Sequence, residues 1–284
     1  RKVQGMWQHL LDGPLLGKSV KRVVATHHHP DHIGLHGWFV EKFGAEYVST
    51  QVAYLTARML TLDVQDSYTP GQIDFYRRAG MRADLLAARE TDRPFNFSDT
   101  VHPIPVGFTR IEEGGVIEMG GRTWDIRVDH GHAPDHASFW SRDDNLVLTG
   151  DQVIASISSN IGVYPTEPDA NPLADWMHSC TRLQEFAHCD HLALPGHKLP
   201  FIGMPLRLKQ LLENHHGALD RLRLDLQISK TAGEVMLAVF KRNIGDGEYS
   251  LGLVEALAHC NYLWHAGEVR RTLDHDGAYR WKIK

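Results

Sequence analysis

The sequence predicts an α/β fold on three observations. Short β-branched or alternating runs are separated by stretches whose apolar residues recur at helical spacing. Several of those short runs end in loops rich in His and Asp. After Pro205 the pattern changes to long helices and a final alternating segment. With 42% hydrophobic and 23% charged residues, the 284-residue chain has the balance of an ordinary globular protein. No apolar run reaches the ~20 residues that a membrane-spanning helix requires. A net charge of −5 provides no overall attraction to nucleic acid or anionic lipid, so partners must be argued from sites.

The elements follow in order. Lys21 to Thr26 is a strand running into HHHPDHIG, where Pro30 and Gly34 are expected to stop regular structure. Leu35 to Met59 has helical spacing around a break at Gly44, with a short strand at Tyr47 to Ser49, which together make a βα unit. Residues 63–105 hold two short helices, IDFYRRAGM and ADLLAARE, between Pro70, Gly80 and Pro94, and are read as an inserted cap. A β-meander follows: Thr123 to Val128 with Trp124, Ile126 and Val128 on one face, Ala137 to Trp140, then a turn at Asp143 to Asn145 and a strand to Thr149. A helix over about Pro172 to Ala187 leads to a buried-type strand, His191 to Pro195.

Beyond residue 204 a charged helix runs to about Leu226. A second is capped by Thr231 with Glu234 three residues on, and a third lies near Leu251 to Trp264. Alternating segments around an Asp-Gly turn close the chain as a hairpin. Three helices and a hairpin suggest a winged helix, giving a catalytic domain over 1–204 and a small domain over 205–284. The three cysteines, Cys180, Cys189 and Cys260, form neither a disulfide framework nor a zinc knuckle, which fits a reducing cytoplasm. The chain opens on Arg1 rather than Met, so N-terminal sequence is expected to be missing.

The 19 histidines are the unusual feature, since neutral imidazole is the commonest metal ligand. His27, His29, Asp31 and His32 form an HxHxDH pattern after a strand. In an extended loop alternate side chains point the same way, so His27 and His29 can share one ion, His28 faces away, and Asp31 and His32 diverge towards a second. A surface loop or purification tag would lack the preceding strand and the following PDHIG. Three more clusters follow strands: Gly131-His132 to His136, Thr149-Gly150-Asp151 and Pro195-Gly196-His197. Each is weak alone. Together they deliver ligands at strand carboxyl ends, where α/β sheets place their sites. Three ligands per ion leave a position open for water, as catalytic zinc requires.

The order HxHxDH, GHxPxH, TGD and PGH resembles the metallo-β-lactamase superfamily over roughly residues 15 to 200. The resemblance implies an αββα sandwich, here lacking its first strands, and two divalent ions, zinc foremost, with iron or manganese as alternatives. By the same resemblance His27, His29 and His132 hold the first ion; Asp31, His32 and His197 hold the second; and Asp151 bridges them. A bridging hydroxide would attack the substrate and Asp31 would orient it. His136 is expected to support the site from behind its ligands or to pack structurally. True β-lactamases of this fold lack a bridging Asp at the position of Asp151, which argues against antibiotic hydrolysis. Flavodiiron relatives carry HxExD, which argues against oxygen reduction.

The winged-helix tail is similar to the β-lactamase-like protein 2 group, which includes an endoribonuclease and acyl-carrier thioesterases. The expected activity is hydrolysis of a thioester, ester or lactone of a small acyl substrate. The alternatives are an endoribonuclease or phosphodiesterase, a regulatory binding protein with a vestigial site, and a mononuclear iron dioxygenase. The tail mixes Arg270, Arg271, Lys282 and Lys284 with Glu268, Asp274 and Asp276, so it offers no basic stripe for RNA. The winged helix is equally suited to joining two copies of the chain. No role is assigned to His9, His36, His215, His216, His259 or His265, which lie in helix-like segments.

Overall fold

A computed structural model describes residues 2–284. The elements run α1 (Lys2–Asp12), β1 (Arg22–Val24), α2 (Pro30–Ile33), α3 (His36–Phe43), β2 (Glu46–Ser49), α4 (Gln51–Leu62), α5 (Pro70–Arg78), α6 (Ala83–Thr91) and β3 (Thr109–Arg110). They continue β4 (Val116–Met119), β5 (Arg122–Asp129), β6 (His136–Ser141), β7 (Leu146–Gly150), α7 (Pro172–Leu183), β8 (Leu192–Pro195), α8 (Met204–Asp225), α9 (Met236–Phe240), α10 (Asp246–His265), β9 (Val269–Leu273) and β10 (Tyr279–Ile283).

Two sheets form the centre. One is parallel, in the order β1-β2-β3; the other has the order β4-β5-β6-β7-β8, antiparallel except for the β7–β8 pair. The period-2 alternation of side chains decides what each face covers. Trp124, Ile126 and Phe139 of the larger sheet join Val48 and Ile111 in a core between the sheets. Trp140, Val147 and Ala193 point the other way, into a core shared with Trp176 of α7, Leu208 and Leu211 of α8 and Leu253 of α10. The outer face of the parallel sheet packs Val23 and Tyr47 against Phe39 of α3 and Tyr54 of α4. The layers are therefore α/β/β/α, the sandwich that the resemblance implies.

The apolar core does not break at residue 204. Phe75 and Met81 of the inserted segment, α7, α8, α10 and Trp281 of β10 belong to one continuous cluster. The Ala79 carbonyl accepts from the Gly233 N–H, so the inserted helices rest on the C-terminal part. Tyr76 stacks under Arg89 at 4.1 Å, and Phe75 is buried, so these aromatics build the insertion.

Three local readings need correction. The helix α1 was not anticipated. Regular structure does not stop at Pro30; Pro30 opens the single turn α2, because the first helical position needs no N–H and favours the fixed φ of proline. Thr231 and Glu234 do form the expected reciprocal cap, at 2.8 and 3.2 Å, but regular helix begins only at Met236. The closing hairpin pairs β9 with β10, Tyr279 opposite Leu273, and its turn uses Gly277 at φ +80°. An isolated antiparallel bridge joins Lys230 to Trp281 alongside it.

Candidate metal centre

The predicted site residues converge at the carboxyl ends of strands from both sheets. The chain leaving β1 carries His27 and His29, and the turn α2 carries Asp31 and His32. His132 lies between β5 and β6, Asp151 directly follows β7, and His197 follows β8. Ligand atoms of His27, His29 and His132 lie within 4.8 Å of one another, as do those of His27, His32 and Asp151, and those of Asp31, His32 and His197. His27 Nε2 stands 3.0 Å from His29 Nδ1 and 3.4 Å from His132 Nε2. Asp151 reaches both neighbourhoods: its carboxylate oxygens are 3.4 Å from His32 Nε2, 3.6 Å from His132 Nε2 and 3.3 Å from His197 Nε2. Asp31 Oδ2 lies 3.1 Å from His197 Nε2 and 3.5 Å from His32 Nε2.

The donor set fits divalent cations. Burial, together with the charge of neighbouring imidazoles, pushes His27 and His29 far below the ordinary histidine range, and burial lowers His132. Neutral rings are the ligating form. At His32 burial opposes the charged form, but the Asp151 carboxylate 3.4 Å away and the charge of Asp31 outweigh it and raise the ring. Burial likewise opposes ionisation of Asp151, yet His32, His132 and His197 hold its carboxyl below the usual range. His32 Nε2 and Asp151 Oδ1 are buried without a proper hydrogen-bond partner, a condition a cation between them relieves.

Groups behind the ligands fix them. His136 is fully buried and stacks on His27 at 4.9 Å between ring centroids. Its Nε2 accepts from the Asp151 N–H at 3.0 Å, and burial holds the ring at about 3, so it remains neutral and keeps that lone pair. It thus anchors the Asp151 turn. Ser159 Oγ donates to the Asp151 carbonyl, and His132 Nδ1 donates to the Asn160 carbonyl at 2.8 Å. Asn160 escaped the sequence reading because its backbone carbonyl leaves no signature in residue type, and Ser159 because nothing in the sequence ties its hydroxyl to a carbonyl eight residues away. His28 turns away from the cluster, stacked 6.4 Å from Phe97.

Three glycines let these loops meet. A Cβ on Gly150 would lie 2.6 Å from His136 Nε2, and one on Gly131 would lie 2.2 Å from Trp176 Cβ. At Gly196 a Cβ would fall 2.3 Å from Asp151 Oδ1 and 2.6 Å from His32 Cε1. Gly196→Ala is therefore expected to displace the Asp151 carboxylate and lower metal affinity about 10- to 100-fold, the scale seen when ligand orientation is disturbed. Competition with a chelator of known affinity measures it. An unchanged affinity would mean that the loop relaxes without moving Asp151.

A fold of this layering, with His and Asp clusters at the ends of strands from both sheets, defines a metallo-hydrolase class. The chain belongs to the metallo-beta-lactamase superfamily, which matches residues 6–192, and residues 219–284 match the metallo-beta-lactamase-like, C-terminal domain. Among particular proteins it is similar to the probable metallo-hydrolase YqjP of Bacillus subtilis (strain 168), 25% identical over 251 residues, covering 86% of this chain and 75% of that one. A beta-lactamase domain protein from Burkholderia ambifaria superposes with a TM-score of 0.88 at 30% identity, over 99% of this chain and 79% of the other. A metallo-beta-lactamase family protein from Thermus thermophilus gives 0.80 at 26% identity, over 99% and 85%. Membership implies a hydrolase that binds divalent metal. Among the described residues no helix is long and apolar enough to cross a membrane.

Proposed function

We propose that the chain is a dinuclear hydrolase acting on a thioester, ester or lactone carbonyl of a small acyl substrate. The observation that carries this reading is the position of Asp151, whose one carboxylate lies within 3.6 Å of His132 on one side and within 3.4 Å of His32 and His197 on the other. Such a carboxylate suits a bridge, with His27, His29 and His132 holding the first ion and Asp31, His32 and His197 the second. Zinc suits the mixed nitrogen and carboxylate donors, with iron or manganese as alternatives. When bound, the ions supply a nucleophilic water at neutral pH and polarise the carbonyl under attack.

The chain's own groups do the rest. Asp31 is half exposed at the mouth of the cluster, so its free carboxylate oxygen can orient the attacking water and hold its proton. Leu199, Ile202, Leu206 and Ile157 expose apolar side chains in the segments following His197 and Asp151, which supports an acyl rather than a phosphate-rich substrate. We also read residues 1–204 as the catalytic part and 205–284 as a winged-helix unit, a reading supported by the Lys230–Trp281 bridge beside the hairpin. Several basic side chains of that unit are engaged in ion pairs, Arg223 with Glu268, Lys230 with Asp225 and Arg280 with Asp274 within it, and Arg271 with Asp169 outside it, which disfavours a phosphate-binding stripe at those positions. A cytoplasmic setting is in keeping with Cys180, Cys189 and Cys260 as free thiols.

Zinc-loaded full-length protein, assayed on acyl-CoA and glutathione thioesters, lactones, a phosphodiester and single-stranded RNA, is expected to hydrolyse an acyl substrate. Chelation should abolish that activity and zinc restore it. Chelator-sensitive cleavage of RNA alone would overturn the acyl assignment and make the C-terminal unit a substrate-holding part.

A further inference from the structure

Apart from the centre described above, three metal-ligating side chains meet in the interior: His215 of α8 with Glu255 and His259 of α10. Glu255 and His259 are four residues apart, so they share one face of α10, and α8 brings His215 onto that face. One ligand atom from each lies within 4.8 Å of the other two. His215 Nδ1 and His259 Nε2 are 3.2 Å apart, between the 3.0 and 3.4 Å that separate His27 from His29 and His132. It is also the edge expected between donors about 2.0–2.1 Å from a common zinc ion.

The outer ring nitrogens are already occupied. His259 Nδ1 donates to the Glu255 carbonyl at 2.8 Å, and His215 Nε2 lies 3.0 Å from Ser158 Oγ. Backbone or hydroxyl partners on the far nitrogen are what orient metal-bound imidazoles. Two inner nitrogens are thus turned towards each other, and without a cation they must share one proton. Both rings are buried, and burial drives both to the neutral form.

Glu255 supplies the second observation. Its carboxylate is partly buried, makes no ion pair among those found in the described residues, and takes hydrogen bonds from Asn160 Nδ2 at 2.8 Å and from the Ile161 backbone. Burial lifts its carboxyl to about 7. Asn160 Oδ1, on the same amide, is buried with no partner. A carboxylate taken from water with no cation beside it is costly, and a divalent ion removes that cost.

We propose that His215, Glu255 and His259 hold a third divalent cation, with a nitrogen–nitrogen–oxygen donor set suited to zinc. This ion is separate from the hydrolytic pair and fastens α8 and α10 to the segment after β7. Its binding moves the His215 proton from Nδ1 to Nε2, which then donates to Ser158 Oγ, and releases any proton on Glu255. The role is structural, since Ser158 and Asn160 tie the cluster to the segment that carries Asp151.

The test breaks both hydrolytic ligand sets and counts what stays. Full-length His27→Ala/Asp151→Ala/His197→Ala protein, stripped with chelator, refilled with zinc and desalted, is expected to retain one zinc per chain and to melt higher with zinc than without. Adding His259→Gln should remove that zinc and the zinc-dependent shift. A triple variant that binds no zinc would overturn the proposal, as would one whose zinc survives His259→Gln. Failure of the hydrolytic assignment reads differently: zinc content would then be the same in the wild type and the triple variant.

Discussion

Asp151→Ala is expected to lower kcat/KM by about 10³-fold or more, equivalent to roughly 4 kcal/mol of lost transition-state stabilisation. The reason is positional. Among the described residues Asp151 is the one carboxylate in reach of His32, His132 and His197 together, so on the proposed bridging role its loss removes a donor from both ion neighbourhoods at once. The fold should survive, because the backbone at 151 keeps its hooks: the N–H still reaches His136 Nε2 and the carbonyl still accepts from Ser159. Steady-state rates on the best acyl substrate, metal content and a melting curve check this together. Turnover within tenfold of wild type would sink the bridging assignment, whereas a collapsed melting curve would show that the carboxylate is chiefly structural.

The second large effect concerns stability. Trp281 in β10 is fully buried in the same cluster as Trp176, Leu208 and Leu253, so Trp281→Ala is expected to cost about 3–5 kcal/mol. For a chain of this size that corresponds to a fall in Tm of roughly 6–20 °C. The transition should remain single, because the cluster runs unbroken from the larger sheet through α7, α8 and α10. A shift below about 2 °C, or two separate transitions, would mean that the hairpin is energetically detached from the sandwich.

Much of this was legible from residue order, for physical reasons that differ between elements. The alternation of Trp124, Ile126 and Val128 named the inward face of β5, because strand period is fixed by the backbone. The convergence of the His and Asp clusters was legible because ligand chemistry restricts residue type and because each lies where a strand ends. The helix α1 was missed although Val3, Met6, Trp7, Leu10 and Leu11 recur at helical spacing; none of its residues is fully buried, and only Trp7 and Leu11 pack against the core around Phe39. Asn160 was invisible because it serves His132 through its backbone carbonyl. The histidines 215 and 259, passed over as helix residues without a role, are buried; pairing α8 with α10 is a tertiary fact that no local spacing encodes.

His27 through His32 come from the parallel sheet's side of the sandwich, while His132, Asp151 and His197 come from the other sheet. Near the seam, the Thr26 carbonyl accepts from the Ala137 N–H at 2.7 Å. Neither layer alone carries the whole donor set. Divalent metal held there would act as a rivet through two plates, and part of the free energy of its binding would be that of clamping one sheet to the other. The stiffness of the sandwich and the readiness of its chemistry are then one thermodynamic quantity, set by the concentration of free metal around the protein.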